Sequence, residues 1–411
     1  MADDSAPKPG RDFNRILGLG LGATITVVFG LILAVTLANG RLPVGSFKFY
    51  YLSILAALGL ATILCTLMRR YRLAHFVVLF VVLDVSFALS TQYLSKAGMG
   101  RSFMPGNDWA SRFMWHPTLQ VVPRPHFRDR NYTHDAQGRR RSTPVDAAKP
   151  TILALGGSTT YDMGVKNGET WPDRLEQLLA GRANVLNLGV PGYSTAEHVI
   201  QAAFYVQRES LAARCALYYL GWNDIRNSFL PGLDSGYADF HLITQIDNLN
   251  ARTRSILGVT AIGGLLDRLI HLAFDTIPSA PSYPKELARS GVDERLLRVF
   301  LRNIQSIVAL NREAGITPIF VTQILNAPDF AGDAFYGWFP LVRNRDVVDI
   351  QRAFNAALVR LGAEKGIVVL NPDWTLFQRT DFVDNGHFSV PGAAKFARLL
   401  KEPVARLCLG E

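Results

Sequence analysis

The chain has 411 residues, a formal net charge of +9 and 49% hydrophobic residues. That length accommodates one α/β domain of about 250–300 residues and a further segment. Its cations are scattered, apart from Arg69, Arg70 and Arg72 and the run Arg139, Arg140 and Arg141. This pattern speaks for membrane topology and a basic linker, and against a nucleic-acid surface. Cys65, Cys215 and Cys408 have no paired spacing and predict neither a disulfide framework nor a metal site.

The apolar excess lies at the N-terminus. Residues 16–37 and 49–68 are uncharged runs of about 22 and about 20 residues, enough to cross a bilayer about 30 Å thick as helices. A third run, 73–95, carries His75 near one end and Asp84 near its middle. The first run is too long for a cleaved signal peptide and ends without a small-x-small site. Lys8, Arg11 and Arg15 precede it, and Arg69, Arg70 and Arg72 separate the second run from the third. The positive-inside rule puts both basic segments in the cytoplasm, with Arg41 and Lys48 outside. Three spans then place the C-terminal domain outside, and two would leave it inside. Asp84 is a functional candidate by its depth. We prefer to read it as a carboxylate bonded to a neighbouring helix or reaching local water, because residues 1–95 show no other transport feature.

Residues 96–149 read as a Pro-, Gly- and Arg-rich linker and extended lead-in with no helical or strand period. From 150 the texture changes. Short apolar runs at 151–155, 185–188, 216–220, 318–322 and 367–370 predict buried strands. Helical patterns at 171–179, 195–208, 294–314, 346–365 and 391–407 fall between and after them. Such alternation predicts a doubly wound, flavodoxin-like α/β/α sandwich with a parallel sheet over 150–411. Residues 228–290 interrupt it as an insertion. Within it, 255–274 is apolar but broken by Asp267, Arg268 and His271, which argues against a fourth span. A helix packed on the domain is the preferred reading. A lid, or a helix resting on the membrane, are the alternatives.

Ligands of open α/β sheets bind beyond the carboxyl ends of the strands. The first predicted strand runs into Gly156-Gly157-Ser158-Thr159-Thr160 and the second into Gly189-Val190-Pro191-Gly192. The third ends in Gly221-Trp222-Asn223-Asp224, and Asp384-Asn385-Gly386-His387 follows the last. Together these supply what acyl transfer from an ester requires. Ser158 is a candidate nucleophile and His387 a base able to take its proton. Asp384, three residues earlier, can orient that imidazole. The N–H groups of Ser158 and Gly192 and the amide of Asn223 can donate to a developing oxyanion.

These four blocks, in this order, resemble the SGNH (GDSL-like) hydrolases, whose Ser, Gly, Asn and His correspond here to Ser158, Gly192, Asn223 and His387. The resemblance runs from about residue 149 to the C-terminus, and 115–157 resembles the approach in bacterial members. It implies a membrane-anchored bacterial esterase working through an acyl-serine without cofactor or metal. The family's first block commonly reads Gly-Asp-Ser, and here Gly157 replaces the aspartate. Glycan O-acyl groups and lipid esters are the expected substrates. Transfer of the acyl group to an envelope polysaccharide is one rival reading, and a non-catalytic envelope scaffold retaining the fold is another. No nucleic acid is expected, and the sequence identifies no protein partner. The aromatic cluster 335–339 and the other histidines, His198 and His271 among them, read as packing residues.

Overall fold

The computed structural model describes residues 9–39, 46–97, 102–105, 112–116, 118–141, 143–206, 213–231, 256–274, 285–331 and 339–411, with a few single positions between them. Four of the five residues in the aromatic cluster, 335–338, lie outside this set, and Phe339 is fully buried. The chain divides into two compact units. One comprises Met1–Arg112, Arg128–Arg130 and Asn250–Pro278, and the other Phe113–Phe127, Asn131–Leu249 and Ser279–Glu411.

Three long helices, Pro9–Ala38, Phe47–Leu67 and Tyr71–Lys96, build the first unit. Each is long and apolar enough to cross a membrane, with mean hydropathies of 2.4, 1.9 and 2.2. Small residues let the first two touch. A Cβ on Gly22 would lie 3.0 Å from the Gly59 carbonyl, and one on Gly59 would lie 2.6 Å from the Thr26 nitrogen. Close backbone approach of this kind suits helices that have no hydrophobic effect to draw them together. Thr26, Thr62 and Thr66 return their hydroxyls to carbonyls four residues earlier. The outer faces are apolar, with Val27, Leu31, Leu60, Leu64, Phe76 and Leu79 each more than half exposed.

Asp84 is fully buried, and its Oδ1 accepts the backbone N–H of Ile262 at 2.8 Å. Ile262 lies in the first turn of the helix Ala261–Phe274. The carboxylate is therefore bonded to a neighbouring helix. That neighbour is the apolar part of the insertion, which belongs to the same compact unit as the anchor helices.

The second unit opens with a hairpin, β1 (Phe113–His116) and β2 (Gln120–Pro123), where the sequence shows no strand period. Five parallel strands follow: β3 (Thr151–Gly156), β4 (Asn184–Asn187), β5 (Ala213–Leu220), β6 (Thr317–Thr322) and β7 (Val368–Leu370). Their order is β4-β3-β5-β6-β7. Leu153 and Leu155 enter one core, beneath the helices Thr195–Ile200, Glu294–Glu313 and Val347–Lys365. Ile152 and Ala154 enter the opposite core, with Trp171 and Leu175 of Trp171–Leu178 and Phe396 and Leu400 of Val390–Val404. The result is the α/β/α sandwich, and the winding reverses direction between β3 and β5, at the crevice where such folds bind ligands.

Two expectations need correction. Cys215 on β5 and Cys408 in the final turns form a disulfide across a sequence separation of 193. Spacing carries no signal for partners so distant in the chain. The run Arg139, Arg140 and Arg141 is not solvated linker, since all three are buried. Arg139 pairs with Asp135 at 2.6 Å, and Arg141 grips both carboxylate oxygens of Glu176.

Candidate active site

Ser158 opens a one-turn helix, Ser158–Tyr161, directly after β3. Two glycines make this turn sterically possible. A Cβ on Gly156 would lie 2.2 Å from the Tyr219 carbonyl of neighbouring β5, and one on Gly157 would lie 2.3 Å from Asn223 Nδ2. A side chain at 157 would need Asn223 to move, which explains glycine where the motif commonly has aspartate. Ser158 is 8% exposed.

The loop after β4 is fastened to this turn. Asn187 Nδ2 donates to the Thr160 carbonyl at 2.9 Å, and its Oδ1 accepts the Gly189 N–H at 3.0 Å. Gly192 takes φ of 88°, a left-handed conformation that glycine adopts without strain. Next to it, the Tyr193 hydroxyl donates to the Val121 carbonyl of β2, so the hairpin braces the loop. The N–H groups of Ser158 and Gly192 enter no hydrogen bond among the described residues.

Asn223 follows β5 and is 3% exposed. Its Nδ2 donates to the Tyr193 carbonyl at 2.8 Å, which leaves its second amide hydrogen unengaged. The Gly157 turn, the Gly192 loop and Asn223 are thus in mutual contact. Behind Asn223, the Asp224 carboxylate accepts from Thr195 N at 3.1 Å and Thr195 Oγ1 at 2.5 Å. Asn303 Nδ2 donates in turn to Thr195 Oγ1 at 3.0 Å. Burial pushes the Asp224 carboxyl up to about 7, against the lowering effect of the Thr195 bonds.

The Asp384 and His387 loop lies past β7. His387 Nδ1 bonds Asp384 Oδ2 at 2.8 Å. Asp384 Oδ1 accepts the N–H groups of Gly386 at 2.9 Å and His387 at 2.8 Å. Burial raises the Asp384 carboxyl, but the His387 side chain and these two N–H groups outweigh it and hold it below its ordinary value. With Nδ1 committed to the carboxylate, Nε2 is the free basic nitrogen, and it is buried without a partner. No hydrogen bond joins it to Ser158 Oγ in this structure; such bonds often tighten only when substrate binds. The loop after the Ser158 turn meets the loop after His387, where a Cβ on Gly164 would lie 2.3 Å from the Phe388 carbonyl. Asn326, after β6, steadies the Asp384 loop by donating its N–H to the Asn385 carbonyl at 3.0 Å.

Several supporting residues gave no signal in the sequence. Arg140 is 2% exposed and donates to the carbonyls of Tyr161 and Asp162, each at 2.5 Å, and of Val165 at 2.6 Å. Its guanidinium also stacks 4.4 Å from the Tyr132 ring centre and 4.9 Å from that of Tyr161. This holds the carbonyl end of the Ser158–Tyr161 helix in place. Asp162, buried at that same end with φ of 62°, accepts the Trp171 N–H at 2.8 Å. Burial pushes its carboxyl up to about 7, against the lowering effects of the Trp171 N–H and the Arg140 and His387 charges. A basic run and an Asp in a turn ordinarily read as solvated, so only the packing reveals these roles. Among the described residues, no group of three His, Cys, Asp or Glu could hold a metal ion.

A parallel α/β/α sandwich whose strand ends lead into the Ser158 turn, the Gly192 loop, Asn223 and the Asp384–His387 pair has the layout of an ester hydrolase. The chain belongs to the GDSL-like lipase/acylhydrolase family, which it matches over residues 154–395. It is an ester-bond hydrolase. Among solved structures it is similar to an aryl esterase from M. smegmatis, with 13% identity over 63% of this chain and 99% of that one and a TM-score of 0.39. It is also similar to Est24, a carbohydrate acetylesterase from Sinorhizobium meliloti, with 11% identity, 63% and 100% coverage and a TM-score of 0.39. A GDSL-like lipase from Bacteroides thetaiotaomicron shares 12% identity over 64% and 92%, with a TM-score of 0.36. No curated protein matches the sequence.

Proposed function

We propose that the protein is a membrane-anchored esterase in which Ser158 is the nucleophile, His387 the general base and Asp384 its orienting partner. The observation that carries this reading is the 2.8 Å Asp384–His387 bond, which leaves Nε2 buried and unpaired. His387 Nε2 takes the Ser158 proton as Oγ attacks the ester carbonyl carbon. The N–H groups of Ser158 and Gly192 and the Asn223 amide bind the oxyanion. The ester C–O bond then breaks, His387 returns the proton to the departing alkoxide, and an acyl-Ser158 remains. Water attacks that acyl group with His387 again taking the proton, the acyl C–Oγ bond breaks, and His387 returns the proton to Ser158 Oγ as the free acid leaves.

The substrates we propose are acyl esters at the bacterial envelope, on a glycan or a lipid. Three apolar helices and the distribution of their basic flanks support a multi-pass anchor in the cytoplasmic membrane, with the catalytic unit outside. The Cys215–Cys408 disulfide supports the same side, because such bonds persist in oxidising compartments.

The test is a fluorophosphonate probe applied to the purified full chain, its Ser158→Ala variant and its His387→Ala variant, with p-nitrophenyl esters assayed in parallel. Wild type should label and turn over ester, and Ser158→Ala should do neither. An unlabelled wild type, or label surviving in Ser158→Ala, overturns the assignment. Product balance on an acylated glycan, free acid against newly acylated acceptor, separates hydrolysis from transfer.

A further inference from the structure

The segment between β5 and β6 has a feature that ester hydrolysis does not use. Its helix Ala261–Phe274 belongs to the anchor unit and begins at Asp84, a buried carboxylate near the middle of the third apolar helix. At 1.5 Å per residue, Asp84 stands about 20 Å along the helix from Tyr71, close to the midplane of a bilayer about 30 Å thick. The first N–H groups of any helix lack intrahelical acceptors, and at membrane depth water cannot supply them. Asp84 Oδ1 meets that need at Ile262.

From there the helix advances toward the C-terminal end of the third span. Phe103 fixes the direction. A Cβ on Gly264 would lie 3.6 Å from its ring, which sits 5.5 Å from the Phe87 ring, and its N–H donates to Thr91 Oγ1 at 3.1 Å. Both Phe87 and Thr91 lie beyond Asp84 on that span. Past this contact the helix is uncovered, with Leu266 49%, Leu269 53% and Ile270 39% exposed on one face. Arg268 projects from the opposite face. The third span of the same unit likewise exposes apolar side chains, with Leu83 and Leu89 each more than half exposed.

We infer that Ala261–Phe274 is a half-membrane helix: its amino end is capped by Asp84 at mid-bilayer depth, and Leu266, Leu269 and Ile270 face lipid hydrocarbon. The helix is about 21 Å long at 1.5 Å per residue, so it reaches the membrane surface at its carboxyl end. Arg268 then lies within reach of the interface by extending its stem. The chain thus leaves the catalytic unit after β5, enters the membrane and returns before Glu294, which gives that unit a second tether. This inference rests on the anchor reading above.

The test uses the full chain in proteoliposomes, on a Cys65→Ser background. Single cysteines replace Leu266, Leu269, Leu31 on the first span, or Arg352 on the catalytic unit, and each carries an environment-sensitive dye. Labels at 266 and 269 should be quenched by nitroxide-bearing lipid as strongly as the label at 31, whereas the label at 352 should be quenched by aqueous iodide. Iodide quenching at 266 and 269, with 31 still in lipid, overturns the inference and leaves the anchor intact. Iodide quenching at 31 would sink the anchor reading itself. Asp84→Leu should lose lipid quenching at 266, and Asp84→Asn, which keeps an acceptor, should retain it. Unchanged quenching at 266 in Asp84→Leu overturns the capping role.

Discussion

At the scale of single residues, the site depends on what is absent as much as on what is present. Gly157 leaves room for the Asn223 amide, and Asn223 in turn holds the Tyr193 carbonyl beside Gly192. Gly157→Asp, although it restores the more common motif, should therefore lower ester turnover by roughly tenfold, about 1.4 kcal/mol in barrier. On the proposed oxyanion role of Asn223, Asn223→Ala should lower kcat by roughly 10²–10³ with little change in KM. Steady-state kinetics on p-nitrophenyl esters checks both. Arg140 is different in kind, because it touches no reacting atom in this geometry. Arg140→Met leaves three buried carbonyls without their donor, at a cost of about 1–3 kcal/mol for each unsatisfied group. It should lower stability by several of the 5–15 kcal/mol typical of a domain, with Arg140→Lys recovering part. Denaturant unfolding of both variants measures this, and near-equal midpoints for Arg140→Met and wild type would contradict it.

Elements make different demands, and here the buried carboxyls matter. Asp162 at the end of the Ser158–Tyr161 helix and Asp224 behind the Asn223 turn are both raised to about 7 by burial. Between about pH 4 and 7 the folded chain therefore holds protons that the unfolded chain has released. Stability contributed by these groups falls as pH rises through that window. Asp384 works in the opposite sense: its depressed carboxyl adds stability above the ordinary carboxylate range, and that stability is lost on acidification through its folded value. Asp224→Asn keeps an acceptor for Thr195 and removes one titrating proton. Melting temperatures between pH 4 and 7 should decline less steeply in Asp224→Asn than in wild type. Identical slopes would show that Asp224 does not titrate there.

For the whole molecule, the disulfide is the feature with the longest reach. It fixes the C-terminal turns to the start of β5 and closes a loop spanning most of the catalytic unit. Its removal in a Cys215→Ser, Cys408→Ser variant should destabilise that unit by about 2–4 kcal/mol. Reductant should lower the melting temperature of wild type and leave the variant unmoved. If the catalytic unit lies outside the cytoplasm, thiol-trapping of cells should find Cys215 and Cys408 blocked. Free thiols at both positions would place the unit on the reducing side. Three spans and the free thiols would then point to opposite compartments, and the third span would be the element in question.

The sequence by itself determined the parallel sandwich, because buried strands and amphipathic helices carry distinct periods that any reader can count. It also pointed to Ser158, Gly192, Asn223, Asp384 and His387 as candidates, since local turns after strands are written in adjacent residues. The hairpin at Phe113–Pro123 was illegible for the opposite reason: its four-residue strands have too few positions to show alternation. Arg140, Asp162 and Asp224 look solvated in one dimension, and only packing against distant carbonyls and amides makes them buried supports. The pairing of Cys215 with Cys408 and the contact of Asp84 with Ile262 join residues separated by 193 and 178 positions. Neither leaves a local pattern. Such long-range partners exist because the chain folds back on itself, and the tertiary structure alone decides which of them meet.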